Sequence, residues 1–233
     1  QTHMINTEEK MKVTNVAVDG PAGSGKSSVS KRVALDLGYI YVDTGAMYRA
    51  VALKLLNENV KENDEEKIKE VLAKTDIDIK YIDSVQHVFS DKTDVTDKIR
   101  TNEVSKAASD FSKIKAVREK LLNLQKELAK KNNCIMDGRD IGTNILPNAD
   151  VKIFLTASAE KRAERRYLEL KEKGECVDIK TLEKEILIRD KNDTERKISP
   201  LKKADDAVLL DTSDLSFDEV CETVKRIITE QIS

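Results

Sequence analysis

Apolar positions along this chain follow two rhythms. Five short runs are almost continuously apolar: "VTNVAVD" (Val13–Asp19), "YIYVD" (Tyr39–Asp43), "NCIMD" (Asn133–Asp137), "VKIFL" (Val151–Leu155) and "AVLLD" (Ala207–Asp211). Runs of this length and character predict strands buried on both faces. Between them, apolar residues recur at helical spacing, predicting helices over Lys26–Leu37 and Ala46–Asn57 and a long helix over "SKIKAVREKLLNLQKELAKK". Two charged helical stretches follow, 159–173 and 179–195, parted at Gly174, and "SFDEVCETVKRIITEQI" closes the chain as a helix. Strands alternating with helices predict an α/β fold, a five-stranded parallel sheet with helices on both faces.

The rhythm breaks once. Residues 58–70 are strongly charged, and after them "DIDIKYID" and "QHVFSDKTDVT" alternate apolar with polar residues. Alternation of period two suits half-exposed antiparallel strands. This predicts a small inserted α+β subdomain at 60–105 within a core made of 11–59 and 106–233. There are no internal repeats and no Pro/Gly-rich linker.

Composition narrows the function classes. With 41 Lys and Arg against 43 Asp and Glu, the net charge is -2. Nothing global attracts nucleic acid or an anionic membrane, so any phosphate-binding charge must be local. No apolar run approaches the ~20 residues of a membrane span. Residues 1–10 carry no apolar signal core and read as disordered or as an expression remnant, with the natural start at Met4 or Met11. The three cysteines (Cys134, Cys176, Cys221) lack metal or disulfide spacing, as expected of reduced thiols in the cytoplasm. Of two histidines, His3 lies in that remnant, leaving His87 and little scope for histidine catalysis. No apolar heptad or stripe demands a partner, so a monomer is expected.

The candidate chemistry begins at "VDGPAGSGKSS": Gly20, four residues, then Gly25-Lys26-Ser27. An apolar strand precedes it and an amphipathic helix follows, the setting of a phosphate-cradling P-loop. Gly20, Gly23 and Gly25 let the backbone curl so that N–H groups face phosphate oxygens. The helix starting at Lys26 adds the positive end of its dipole. Lys26 is expected at the β/γ phosphates and Ser27 as a magnesium ligand. No Asn-Lys-x-Asp guanine-reading motif is present.

Two further segments follow strand ends, where open α/β sheets bind ligands. "DTGAMYR" carries Thr44 and Arg49, and "MDGRDIGT" carries Arg139 and Asp140 in one glycine-flanked turn, which suits a guanidinium grip on phosphate beside a hydrogen-bond acceptor. Arg162, Arg165 and Arg166 share a helix face with Glu160, Glu164 and Glu169 nearby, so either a functional basic face or an ion-paired solvated face fits. Arg189 and Asp193, spaced i, i+4, are open to the same two readings.

"DGPAGSGKSS", "DTGAMYR", "IRTNEV", "DGRDIGT", "VKIFLTAS", "RAERR" and "RDKND", in this order, resemble the bacterial cytidylate kinases from Met11 to the C-terminus. The resemblance implies transfer of the γ-phosphate of Mg-ATP to CMP or dCMP, with the 60–105 insert as an enlarged monophosphate-binding region. It implies that Gly20, Pro21, Ala22, Gly23, Ser24, Gly25, Lys26, Ser27 and Ser28 hold ATP. Thr44 would sit near the acceptor, Arg49 and Arg139 would grip its phosphate, and Arg100 would serve the same region. Ser109, Arg118 and Asp140 would read cytosine. Arg189 and Asp193 would contact the sugar and phosphate end, helped by Arg196. Arg162, Arg165 and Arg166 would form a mobile lid at about 158–175, with Lys26, Arg139, Arg162 and Arg166 acting on the transferred group. Lys191 and Glu195 depart from the family's usual balance of acids and arginines in "RDKNDTERK". Two other readings are a P-loop kinase of UMP, AMP or another small acceptor, and a nucleotide-gated nucleic-acid factor. The latter is opposed by the net charge and by only 4% aromatic residues.

Overall fold

The computed structural model describes residues 12–233, so the expectations for residues 1–10, and His3 and Met11 with them, lie outside the described residues. Five strands form one parallel sheet: β1 (Asn15–Asp19), β2 (Ile40–Asp43), β6 (Cys134–Gly138), β7 (Val151–Thr156) and β8 (Val208–Asp211), in the order β2-β6-β1-β7-β8. β1 is central, paired with β6 from Asn15↔Cys134 and with β7 from Val16↔Val151. That position requires both of its faces to be apolar, and successive residues point to opposite sides. Val16 and Val18 pack with Val29, Val33, Ile153 and Val224 under α1 (Lys26–Leu37) and α8 (Phe217–Ile232). Ala17 faces the other way, packing with Val42, Met47, Leu55, Leu121 and Met136 under α2 (Thr44–Asn57) and α5 (Lys115–Lys131).

The insert folds as α3 (Glu65–Lys74) followed by a three-stranded antiparallel sheet, β3 (Ile77–Ile82), β4 (Val85–Ser90) and β5 (Thr93–Asp94). Both turns, Asp83-Ser84 and Asp91-Lys92, put two consecutive residues at positive φ, the backbone that two-residue hairpins need. The second turn divides "QHVFSDKTDVT" into two strands. Ile77, Ile79 and Val88 join the same apolar cluster as Met47 and Leu55, so insert and sheet share one continuous core. Polar contacts fix the docking: the Tyr81 hydroxyl donates to the Tyr41 carbonyl at 2.9 Å. The Gln86 amide both accepts from Asp43 N (3.0 Å) and donates to Asp43 O (3.2 Å), pairing the edge strand β2 as another strand would.

The helix expected from Ser112 begins instead at Lys115, after a separate α4 (Asn102–Phe111) that the sequence reading left without an element. Thr101 caps α4, its hydroxyl accepting from Val104 N at 3.2 Å, and the chain bends at Ser112–Ile114. This break brings Ser105, Ser109 and Ser112 to the cleft described below. The charged stretches form α6 (Ala159–Glu172) and α7 (Ile179–Glu195) around the small cluster Ala163, Leu170 and Leu182. No described helix is long and apolar enough to cross a membrane.

Candidate active site

The loop between β1 and α1 is as the glycine pattern requires. A Cβ on Gly20 would stand 2.0 Å from the Leu155 carbonyl oxygen, so no other residue fits against β7 there. Gly23 (φ 74°) and Gly25 (φ 85°) take left-handed backbone that disfavours side chains. Lys26, first residue of α1, is buried and folds back so that Nζ donates to the Pro21 carbonyl at 3.3 Å. Burial first, then the positive charge of Arg139, pull its pKa from 10.5 down to about 7. The Ser27 hydroxyl donates to Asp137 Oδ2 at 2.6 Å. Burial, with Asp43 adding repulsion, raises Asp137 to about 6.

Beside this loop opens a cleft at the carboxyl ends of β2 and β6. Lys26, Arg49, Arg118, Arg139, Arg189 and Arg196 line it, against Asp43, Asp137, Asp140 and Asp193. Six cations facing four carboxylates leave an excess of two in a chain whose net charge is -2. That is a local field built for an anion. Asp43 caps α2, accepting from Ala46 N at 2.9 Å, and holds Arg49 through its other oxygen at 3.2 Å. The Thr44 hydroxyl is buried and donates to the Asp137 carbonyl at 2.7 Å, which ties β2 to β6. Arg139 Nε donates to Asp193 Oδ2 at 2.9 Å. Burial would raise the Asp193 pKa, but the charge and hydrogen bond of Arg139 outweigh it and hold it below the usual range. Arg189 Nε is buried without a partner. Asp193 therefore spends its hydrogen bond on Arg139, and the i, i+4 pair considered from the sequence does not form. Burial, then repulsion from Arg139, lower the Arg189 pKa.

At the far end, Asp140 Oδ2 accepts from Arg118 Nη2 and from Asn144 Nδ2 (3.1 Å), while Oδ1 has Arg196 Nη2 at 3.7 Å. Arg118 also donates to the Ser112 carbonyl at 3.2 Å and lies 5.3 Å over the Tyr48 ring. Ser109 lines this end. Arg100 is exposed in a short turn and is not among the lining residues.

The α6 arginines divide. Arg162 is buried: Nε donates to Ala157 O (2.9 Å), Nη1 to the P-loop carbonyl of Ala22 (3.0 Å), and the two terminal nitrogens take both oxygens of Asp190. Arg165 holds Thr212, Nη1 on the hydroxyl at 3.1 Å and Nη2 on the carbonyl at 2.6 Å. Arg166 pairs with Glu169 at 3.2 Å on the half-exposed face. The ion-paired solvated face thus describes Arg166, while Arg162 is ion-paired to Asp190 but buried against the P-loop, and Arg165 reaches Thr212.

Sequence reasoning passed over Asp19, Asp43, Tyr48, Asp137 and Asp190. A usable signal existed for three: "VAVD", "YIYVD" and "CIMD" each end an apolar run in a carboxylate, an unusual position in a buried strand unless it is partnered. Asp190 carried none, since its partner Arg162 lies in another helix.

A family model described as "Cytidylate kinase" matches residues 16–230. A cytidylate kinase of Caldicellulosiruptor bescii is 58% identical over 214 residues, spanning 92% of this chain and 95% of that protein. One of Caldicellulosiruptor saccharolyticus is 56% identical over 222 residues, 95% and 98% of the two chains. One of Bacillus subtilis is 50% identical over 220 residues, 94% and 98%.

Proposed function

The chain belongs to the cytidylate kinase family, and from that premise we propose how its residues share the work of moving a phosphoryl group to CMP. The reaction carries the γ-phosphate of ATP to CMP or dCMP, giving CDP or dCDP and ADP. An acceptor phosphate has a second pKa of about 6, so its attacking oxygen is already ionised near neutrality and needs no general base. The obstacle is repulsion between two anions, and positioned cations remove it.

The observation that carries the reading is the run of cations from Lys26 to Arg118 along a single cleft. The donor lies on the Gly20–Ser28 loop, with Lys26 at the transferred group. Ser27 Oγ and Asp137 Oδ2, already in contact, are hard oxygen donors that fit magnesium. When bound, that ion neutralises charge on the phosphates. Arg49, Arg139 and Arg189 grip the acceptor phosphate, and the unpartnered Nε of Arg189 has a donor to spare for it. Asp193 orients Arg139. Thr44 and Arg196 border the acceptor, and Ser109, Arg118 and Asp140 read the base. Cytosine offers an amino donor where uracil offers a carbonyl, and Asp140 Oδ1 is the less committed acceptor facing it. Arg162, already against the P-loop carbonyl of Ala22, acts on the donor side, and Arg166, one turn along α6, joins it by leaving its exposed partner Glu169 when the 158–175 segment closes and excludes water. Unpaired thiols at Cys134, Cys176 and Cys221 support a cytoplasmic setting.

The test is ADP release with Mg-ATP and CMP, dCMP, UMP, AMP or no acceptor. Turnover confined to CMP and dCMP is expected. Equal turnover with UMP would remove Asp140 from base reading, and release without an acceptor would replace the kinase reading by an ATPase.

A further inference from the structure

The turn that carries Arg139 and Asp140 continues as a single wide helical turn, Ile141–Ile145. Its first two free N–H groups, those of Ile141 and Gly142, point inward to the two oxygens of one buried carboxylate. Ile141 N meets Asp19 Oδ1 at 2.8 Å and Gly142 N meets Asp19 Oδ2 at 2.8 Å. Asp19 belongs to neither substrate loop. It is the last residue of β1, immediately before Gly20 of the P-loop. The far end of the turn is held by a second buried charge: Lys152 of β7 donates to the Pro147 carbonyl and to Asp206 Oδ1 at 2.9 Å. Gly142 lies between the two anchors. A Cβ there would stand 3.2 Å from Lys152 Cδ and 3.4 Å from Asp19 Oδ2.

We propose that Asp19 is a positioning residue for phosphoryl transfer, setting the acceptor turn at a fixed distance from the donor loop by gripping Ile141 and Gly142. The inference rests on the assignment of Arg139 and Asp140 to the acceptor. Two consecutive inward N–H groups form a ready anion site, here within three residues of the guanidinium that is to hold the acceptor phosphate. Left open, it would compete for phosphate or collapse onto Asp140. A carboxylate supplied by the protein fills it. Because that carboxylate adjoins Gly20, the donor and acceptor loops share one anchor, and in-line transfer depends on their separation. Asp19 touches no reacting group, so its effect passes through Arg139 and Asp140.

The test is steady-state kinetics of Asp19→Asn with ATP and CMP varied separately, alongside thermal melting of the free protein. Wild-type enzyme must first turn over CMP; if it does not, the acceptor assignment itself fails. Asparagine keeps one acceptor and loses the other. The expected result is at least a tenfold loss in kcat/KM for CMP and at least a fivefold loss of CMP-over-UMP preference, with KM for ATP changed less than threefold. A lowered melting temperature with both KM values and the preference unchanged makes Asp19 merely structural and overturns the proposal. A KM for ATP that rises as much as that for CMP assigns Asp19 to the P-loop and overturns it too. Should Asp19→Asn not fold, Gly142→Ala pushes the turn off the same carboxylate, and the same split between CMP and ATP is required of it.

Discussion

Replacing Asp140 by asparagine tests base recognition more sharply than deleting it. Alanine would strand the buried Arg118 and the neighbouring Arg196 without a carboxylate, a loss of about 3–5 kcal/mol that would confuse stability with recognition. Asparagine keeps one oxygen, and the structure dictates where it goes. Two donors, Arg118 Nη2 and Asn144 Nδ2, converge on the Oδ2 position, so the amide oxygen must occupy it. The amide NH2 then takes the Oδ1 position, and an acceptor for the cytosine amino group becomes a donor suited to the uracil carbonyl. If Asp140 reads the base as proposed, cytosine gains a charge-assisted hydrogen bond of about 1.5–3 kcal/mol in the wild type, and uracil leaves an acceptor facing an acceptor, costing about 1–3 kcal/mol. Together these give a CMP preference of roughly 10² to 10⁴, at about 1.4 kcal/mol per tenfold. Asp140→Asn should lower the ratio of kcat/KM for CMP to that for UMP by at least ~100-fold, with the UMP value itself rising. The assay is coupled ADP formation with each acceptor varied at saturating ATP. A ratio within threefold of wild type would refute the assignment, whatever happened to absolute activity.

Other perturbations probe separate parts of the site. Arg139→Ala should cut kcat at least ~10-fold while leaving ATP affinity, measured by fluorescence titration, nearly intact; equal loss of ATP affinity would move Arg139 to the donor side. Lys26 has a pKa lowered to about 7, so the free enzyme sheds its charge as pH rises through 7, and a bound triphosphate would draw the proton back. Binding of ATP at pH 8 should therefore weaken relative to pH 6.5 and take up a proton, read by calorimetry in buffers of different ionisation enthalpy; no proton exchange would contradict this. Asp19 has a folded pKa raised to about 6 against 3.8 when unfolded. A raised carboxyl pKa means that its ionised form costs stability above pH 6, a cost relieved as pH falls from 6 toward 4. Asp19 should thus not drive acid unfolding, and wild-type protein should lose no stability through it between pH 7 and 5 in denaturant melts. Gly20→Ala, facing the Leu155 carbonyl at 2.0 Å, should cost at least ~3 kcal/mol by the same melts, or give insoluble protein.

Local rules were enough for much of this molecule. The five core strands lie within two residues of the apolar runs that announce them, and α1 and α7 coincide with their helical stretches. The P-loop is legible because its function is carried by consecutive backbone groups, and glycines at fixed spacing are the only way to arrange them. α4 was legible too: Val104, Ala108 and Phe111 recur at helical spacing behind the Thr101 cap, a local pattern that was passed over.

By itself the sequence determined the sheet, its strand-ending loops, the six cations that line the cleft and two of its four carboxylates, Asp140 and Asp193. It left open which charge pairs with which. Side chains close in sequence offer several partners of similar energy on a solvated helix face, so i, i+4 spacing could not decide between Asp193 holding Arg189 and Asp193 holding Arg139. Tertiary structure chose the latter, 54 residues apart. It also joined Ser27 to Asp137 across 110 residues and Asp19 to Ile141 across 122. Each of these contacts is made at a strand end inside the fold, where a charge out of water must find a partner. Which partner it finds depends on which strands are neighbours. The central place of β1 between β6 and β7, fixed by its double-sided burial, is what brings the P-loop and the Arg139–Asp140 turn together.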